Sequence, residues 1–186
     1  MIVPHAQTFM NRVVVTGLGF ASSIGSSRKS LIDSLLRLDH GFARFPARGS
    51  ELRAPSWYGA VKDYSFEGWD PEEWQYPARF EIAPLELKSM SPGVLCAHCT
   101  ALDALEDAKI SRSDVSDPMT GLYTASGGSA GNQHQQMTIM NSRGVSRCSP
   151  YSVVSSAAGT VSFNLGASLK IHGALCGFAS ACASSA

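Results

Sequence analysis

The stretch that most constrains this chain is its closing fifteen residues, His172-Gly-Ala-Leu-Cys-Gly-Phe-Ala-Ser-Ala-Cys182-Ala-Ser-Ser-Ala186. The apolar run from Ala174 to Ala179 reads as a buried strand, passing through Ser180 and Ala181 into small residues that can open a helix. Cys182 stands at that junction. A thiol in the first turn of a helix meets unpaired backbone N–H groups and the positive end of the helix dipole, and both favour the nucleophilic thiolate. The Ala and Ser neighbours leave room for a bulky substrate to approach the sulfur, and N–H groups of the same turn can supply part of an oxyanion hole. Cys182 is therefore the candidate nucleophile.

The preceding sequence supplies a framework for such a site. Val13 to Thr16 is β-branched and ends in Gly17-Leu-Gly19, which reads as a central parallel strand running into a tight turn. A helix is expected next, capped by Ser26 or Ser27, with Leu31, Ile32, Leu35, Leu36 and Leu38 on its apolar face and Gly41 after its end. The glycine pair also fits a dinucleotide-binding turn, but Ser22 occupies the third glycine position and the helix starts too late, so a structural turn is preferred.

Residues 42–88 hold three tryptophans and five of the nine prolines. They read as a decorated connection with one strand, Ser56 to Val61, and an insertion around 70–84. From Ser89 a helix is expected, with Met90, Val94, Ala97, Ala101, Leu105 and Ala108 on its buried face. Cys96 and Cys99 lie in this helix. No second ligand pair stands at zinc spacing, so they read as small packed residues and not as a metal or redox pair. Thr120 to Ala125 reads as the next strand, followed by the loop Ser126-Gly-Gly-Ser-Ala-Gly131, which lacks the Gly-Lys-Ser/Thr ending of a phosphate-binding loop. His134 falls in a polar, exposed stretch and is assigned no catalysis. Tyr151, Val154, Ala158, Val161, Leu165 and Leu169 then repeat at helical spacing, on a helix expected to pack beside the nucleophile strand, where Ser155, Ser156 and Thr160 permit close backbone approach. Strands alternating with helices give an α/β domain with a largely parallel sheet.

Several of these segments resemble one known family. Ser180-Ala-Cys-Ala-Ser-Ser185 is similar to the nucleophile motif of the beta-ketoacyl-acyl-carrier-protein synthases, the condensing enzymes of fatty acid and polyketide synthesis. Arg12-Val-Val-Val-Thr-Gly-Leu-Gly-Phe-Ala-Ser-Ser-Ile-Gly25 resembles the family's opening strand and turn, and Ala125-Ser-Gly-Gly-Ser129 its glycine-rich loop. Tyr151 to Gly173 is similar to the helix and lysine-isoleucine-histidine-glycine connection of the type I branch.

The resemblance implies the first half of a thiolase-like fold, in which two such halves stack as an αβαβα sandwich. It implies Cys182 as the catalytic residue of a decarboxylative Claisen condensation. It further implies that Gly127, Gly128 and Ser129 border the acyl pocket, with Gly128 at a site where another branch carries a branched aliphatic side chain. A turn requiring positive φ accounts for Gly128 equally well. The implied partners are an acyl carrier protein bearing acyl or malonyl phosphopantetheine and a second copy of the chain in a homodimer. No cofactor and no metal are implied. The family's two catalytic histidines and supporting lysine lie downstream of the nucleophile, and His5, His40, His98, His134 and His172 match none of them. His172 reads as a structural hydrogen-bonding residue.

Residues 12–186 are therefore expected to form the domain, behind an extension at 1–11, because Met10-Asn11-Arg12 is a more natural start. The chain reads as the leading portion of a synthase, unable to condense acyl chains by itself. The alternatives are a non-catalytic relative that pairs with a complete synthase, or an unrelated α/β binding domain. Composition narrows the partners: fifteen basic and fifteen acidic residues give zero formal charge, which argues against nucleic acid or an anionic membrane. Arg12, Arg28, Lys29, Arg44, Arg48 and Arg53 are candidates for a local basic patch facing a carrier protein. Five cysteines without a secretory signal point to a reduced, cytoplasmic protein, and no apolar run is long enough to span a bilayer.

Overall fold

The longest helix organises the packing. In the computed structural model, which describes residues 12–44, 57–68 and 70–185, that helix is α3, Pro92–Ala108. Pro92 sits in the first turn, where its missing N–H costs nothing, and Ser91 Oγ accepts the Val94 N–H at 3.4 Å. Lys109, left-handed at φ 58°, stops it and returns its N–H to the Glu106 carbonyl. Val94, Leu95, His98 and Cys99 form its buried stripe, at spacings of one, three and four. Ala97 and Ala101 are partly buried on the flank.

The opposite flank explains the early glycines. A Cβ on Gly17 would lie 2.1 Å from the Ala104 carbonyl oxygen, and one on Gly19 would lie 1.9 Å from that of Thr100. The pair lets the chain lie directly on the α3 backbone, a packing requirement with no phosphate involved. The Leu18 N–H also donates to Asp107, at 3.1 Å.

Two short helices bracket α3: α2, Pro84–Lys88, before it and α4, Arg112–Val115, after it. The segment ahead of α2 departs from expectation. Trp74, Phe80 and Ile82 are buried with Leu87, Met90 and the α3 stripe in one core, and Tyr64, Phe66 and Tyr76 pack against it. Phe66 meets Trp74 edge-on at 5.5 Å between ring centroids. Residues 64–82 are thus core-forming and not a decorated connection. They lack a readable period because, among the described residues, they cross the core as mostly irregular chain with one 3-10 turn, Pro71–Glu73, and one antiparallel bridge between Ser65 and Gln75. Arg79 pins this segment to α3 by forked hydrogen bonds to the Asp103 carboxylate, the shortest at 2.8 Å, with its guanidinium 4.4 Å over the Phe80 ring. As the pair is part-exposed, its contribution is about 1 kcal/mol or less.

The remaining core wall is α7, Thr160–Ser168, through Val161 and Leu165, with Leu169 just beyond it. The single expected helix from Tyr151 is two, since α6, Ser152–Ser156, ends where Ala157 turns extended at ψ 144°. β3, Leu122–Ala125, and β4, Leu175–Phe178, pair in parallel with Leu122 opposite Leu175 and Ala125 opposite Phe178. α7 packs on this pair. The Leu175 side chain would lie 3.2 Å from a Cβ at Gly166, and Thr124 Oγ1 and Ser162 Oγ are hydrogen-bonded at 2.6 Å.

Other expectations require correction. Val13, Val14 and Val15 are 66–96% exposed and pair with no strand among the described residues. β4 is not buried: Phe178 is 51% exposed on the face away from α7, which nothing described covers, and Leu175 is 50% exposed although it packs toward Gly166 of α7. The first helix, α1, is Arg28–Leu36, capped at Ser27 through a reciprocal exchange with Ser30. It ends early, at left-handed Leu38 and not at Gly41, and Leu35 and Leu36 face outward, 56% and 79% exposed. β1, Phe42–Arg44, pairs antiparallel with β2, Trp57–Gly59, inside the expected Ser56 to Val61 strand. Ser56, Arg48, Arg53, His5 and the extension at 1–11 lie outside the described residues. The stretch around His134 is helical, as part of α5, Ala130–Arg143, although His134 is exposed as expected.

Candidate active site

The parallel pair ends at one edge, and both candidate segments leave from it. In open α/β sheets this carboxyl-end edge is where ligands bind. The Ser126 N–H donates to the Phe178 carbonyl at 3.1 Å, joining the start of the glycine-rich loop to the end of β4.

Past β4 the described residues, which stop at Ser185, form a tight turn. The Ala183 N–H donates to the Ser180 carbonyl at 3.0 Å and the Ser184 N–H to the Ala181 carbonyl at 3.2 Å. Ala181 is left-handed at φ 47°. Ala181 and residues 183–185 are turn and Cys182 is bridged to Ser180, so the helix dipole expected behind Cys182 is not built within the described residues. The N–H groups of Ala183 and Ser184 are likewise spent inside the turn and not open to an oxyanion. What the turn does supply is access. Cys182 is exposed, beside an open groove of 540 Å³ bordered by Tyr123, Thr124, Phe178, Ser180 and Ser184.

The other cysteines contrast with it. Cys99 is fully buried in α3 and Cys96 partly so, and burial pushes both thiols up to about 11. Cys148 and Cys176 are partly buried.

The glycine-rich loop is held by the break between α6 and α7. In a continuous helix the Ser156 carbonyl would accept the Thr160 N–H; here it accepts the Ser129 N–H at 2.9 Å. Gly128 is left-handed at φ 78°, and a Cβ on it would lie 2.7 Å from that same carbonyl oxygen. Conformation and space both require glycine there. Gly127, by contrast, faces open space. Ser129 caps α5, accepting the Asn132 N–H at 3.3 Å. The structure therefore ties Gly127, Gly128 and Ser129 to the site edge through Ser126, while the groove beside Cys182 is lined by β3, β4 and the turn itself.

His172 is exposed before β4 and shows no hydrogen bond among the described residues. Of the basic candidates, Arg28 is paired with Asp107 at 3.0 Å. Sequence reasoning missed Ser184, whose hydroxyl bridges the turn; its signal was a hydroxyl residue two places after the nucleophile, read only as a lack of bulk. Among the described residues no group of His, Cys, Asp or Glu is arranged to hold a metal, and no helix is long and apolar enough to cross a membrane.

The sequence model of the beta-ketoacyl synthase N-terminal domain matches residues 10–186. The 3-oxoacyl-[acyl-carrier-protein] synthase 1 of Haemophilus influenzae is 29% identical over 181 residues, covering 95% of this chain and 41% of the relative. That of Escherichia coli K12 is 30% identical over 183 residues, with the same coverage. The chain thus spans about two fifths of the length of these curated relatives. Among solved structures, a beta-ketoacyl synthase from Burkholderia phymatum superposes with a TM-score of 0.71 at 21% identity, over 94% of this chain and 41% of that one. The ishigamide ketosynthase/chain length factor gives 0.68 at 19%, over 89% and 39%. The fold is the first half of the thiolase-like architecture, and the chain belongs to the beta-ketoacyl synthase family, of which it carries the N-terminal domain.

Proposed function

We propose that this chain is the nucleophile-bearing portion of a 3-oxoacyl-acyl-carrier-protein synthase and that Cys182 is its acyl acceptor. The observation that carries the reading is the exposure of Cys182 on a left-handed turn at the carboxyl end of a parallel strand pair. The Cys182 sulfur attacks the thioester carbonyl of an acyl-carrier; the new S–C bond forms as the carrier's C–S bond breaks, and the carrier thiol leaves with the proton. Malonyl-carrier then loses carbon dioxide, and its carbanion attacks the acyl-enzyme. A C–C bond forms and the Cys182 thiolate is released. Acyl and malonyl phosphopantetheine on a carrier protein are the substrates, in fatty acid or polyketide synthesis.

The working unit is a homodimer in the cytoplasm. Its support is the β4 face that no described residue covers and five free thiols, which suit a reducing compartment. No histidine of residues 1–186 is assigned to decarboxylation, so those residues alone should load acyl groups without condensing them. The test supplies acyl- and malonyl-carrier to the full chain encoded by the gene and assays the 3-oxoacyl thioester. Product that vanishes in Cys182→Ala is expected. Product formation by that variant, or by residues 1–186 alone, overturns the assignment.

A further inference from the structure

One side chain holds the turn that presents Cys182. Ser184 Oγ accepts the Ser180 N–H at 2.9 Å and donates to the Ala181 carbonyl at 2.7 Å. A hydroxyl has one proton and two lone pairs, and an amide N–H only donates while a carbonyl only accepts, so both bonds form together with one orientation of the proton. The two partners flank Ala181, whose φ of 47° is unfavourable for any residue with a Cβ. Such a conformation persists where its surroundings over-determine it. The turn's main-chain bonds, from Ala183 to Ser180 and from Ser184 to Ala181, can be made by almost any sequence. The bridge through Ser184 Oγ depends on the side chain.

Ala181 is the residue immediately before the nucleophile, so its dihedrals set the direction in which Cys182 leaves the strand end. We propose that Ser184 is a positioning residue, whose hydroxyl holds Ala181 left-handed and so fixes the aim of Cys182 at an incoming thioester. The inference rests on the reading of Cys182 as the acyl acceptor. It assigns Ser184 no contact with the reacting atoms. Its effect therefore falls on the rate of the bound reaction more than on binding, since attack depends on near-attack geometry.

The test compares Ser184→Thr with Ser184→Val, two side chains of similar shape that differ in the hydroxyl, alongside Ser184→Ala, all in the full chain. Acyl transfer from an acyl-pantetheine thioester to Cys182 is followed by intact mass with peptide mapping, at low and saturating thioester. Alkylation by iodoacetamide, a small reagent with weaker demands on aim, is followed against pH, and circular dichroism monitors folding. Loss of the hydroxyl should slow acylation at saturation about tenfold in Val and Ala, with threonine restoring it, as expected for losing a bridging hydrogen bond at a reacting group. Half-saturation and the pH profile of alkylation should stay unchanged. Equal acylation by the folded Thr and Val variants overturns the role of Ser184 alone. A wild-type chain that is never acylated at Cys182 removes the reading of Cys182 itself, and this inference with it.

Discussion

Two regions of the molecule handle their side chains in opposite ways. Around α3 the chain encloses what it carries: Leu95 and Cys99 are 0% exposed, and even His98 is 1% exposed. At the carboxyl edge of β3 and β4 it displays them, with Tyr123 67% and Phe178 51% exposed and Cys182 on the surface. A thiol in the first region is packing; a thiol in the second is available for chemistry.

Differential labelling should show the largest contrast. With thiols near 11, Cys96 and Cys99 hold roughly one thiolate in ten thousand at neutral pH, in addition to their burial. Under limiting iodoacetamide Cys182 should be alkylated at least about a hundredfold faster than Cys99, with the gap narrowing as pH rises toward those values. Mass-spectrometric mapping of labelled peptides reads this out. Cys96 or Cys99 labelled first in the folded protein would erase the contrast.

Truncations come next. Leu95→Ala empties a fully buried site and should cost about 2–5 kcal/mol in urea unfolding. Leu175→Ala, from a residue 50% exposed, should cost well under half of that. Equal losses would mean that β4 is covered in solution.

Gly128 and Gly127 divide the glycine-rich loop by the same logic. Gly128→Ala should cost about 1–3 kcal/mol, because it forces a Cβ into left-handed backbone and against the Ser156 carbonyl. Gly127→Ala, at an open position, should shift stability by less than about 1 kcal/mol. If Gly128 serves the backbone, Gly128→Ile should depress acylation equally for short and long acyl groups. A loss confined to long ones would favour the reading in which Gly128 borders the acyl pocket.

The smallest effect concerns acid. Burial holds the His98 imidazole below its ordinary value, helped by Arg112 and opposed by Glu86, and its Nδ1 has no hydrogen-bond partner among the described residues. The neutral form is the one that folds. As pH falls through about 6.5 the unfolded chain takes up the proton first, so stability present above that value is lost below it, by at most about 1.4 kcal/mol per pH unit. Replacing His98 by Gln should flatten this slope in unfolding experiments at several pH values; an unchanged slope would place the acid sensitivity elsewhere.

Much of this contrast was legible in the sequence. Period gave α3, and short apolar runs bounded by small residues gave β3, β4 and the position of Cys182. α5 was missed because Asn132-Gln-His-Gln-Gln-Met137 has no apolar stripe, and Ile139 is its one buried hydrophobic residue. Trp74, Phe80 and Ile82 escaped because irregular chain carries them into the core without a period. The valines at 13–15 misled in the other direction, since β-branched residues report strand propensity but not whether a neighbouring strand is present. At the site, residue identity pointed to Cys182, but the left-handed Ala181 and the Ser184 bridge arise from turn geometry that no spacing encodes.

The central claim is that Cys182, and no other thiol, accepts the acyl group. The most direct test incubates the full chain with an acyl-carrier thioester, quenches at acid pH and maps the acyl mass onto cysteine peptides. One acyl group on the Cys182 peptide, absent in Cys182→Ala, is the predicted result; an acyl group on Cys148 or Cys176, or none on any cysteine of a folded chain, would contradict it.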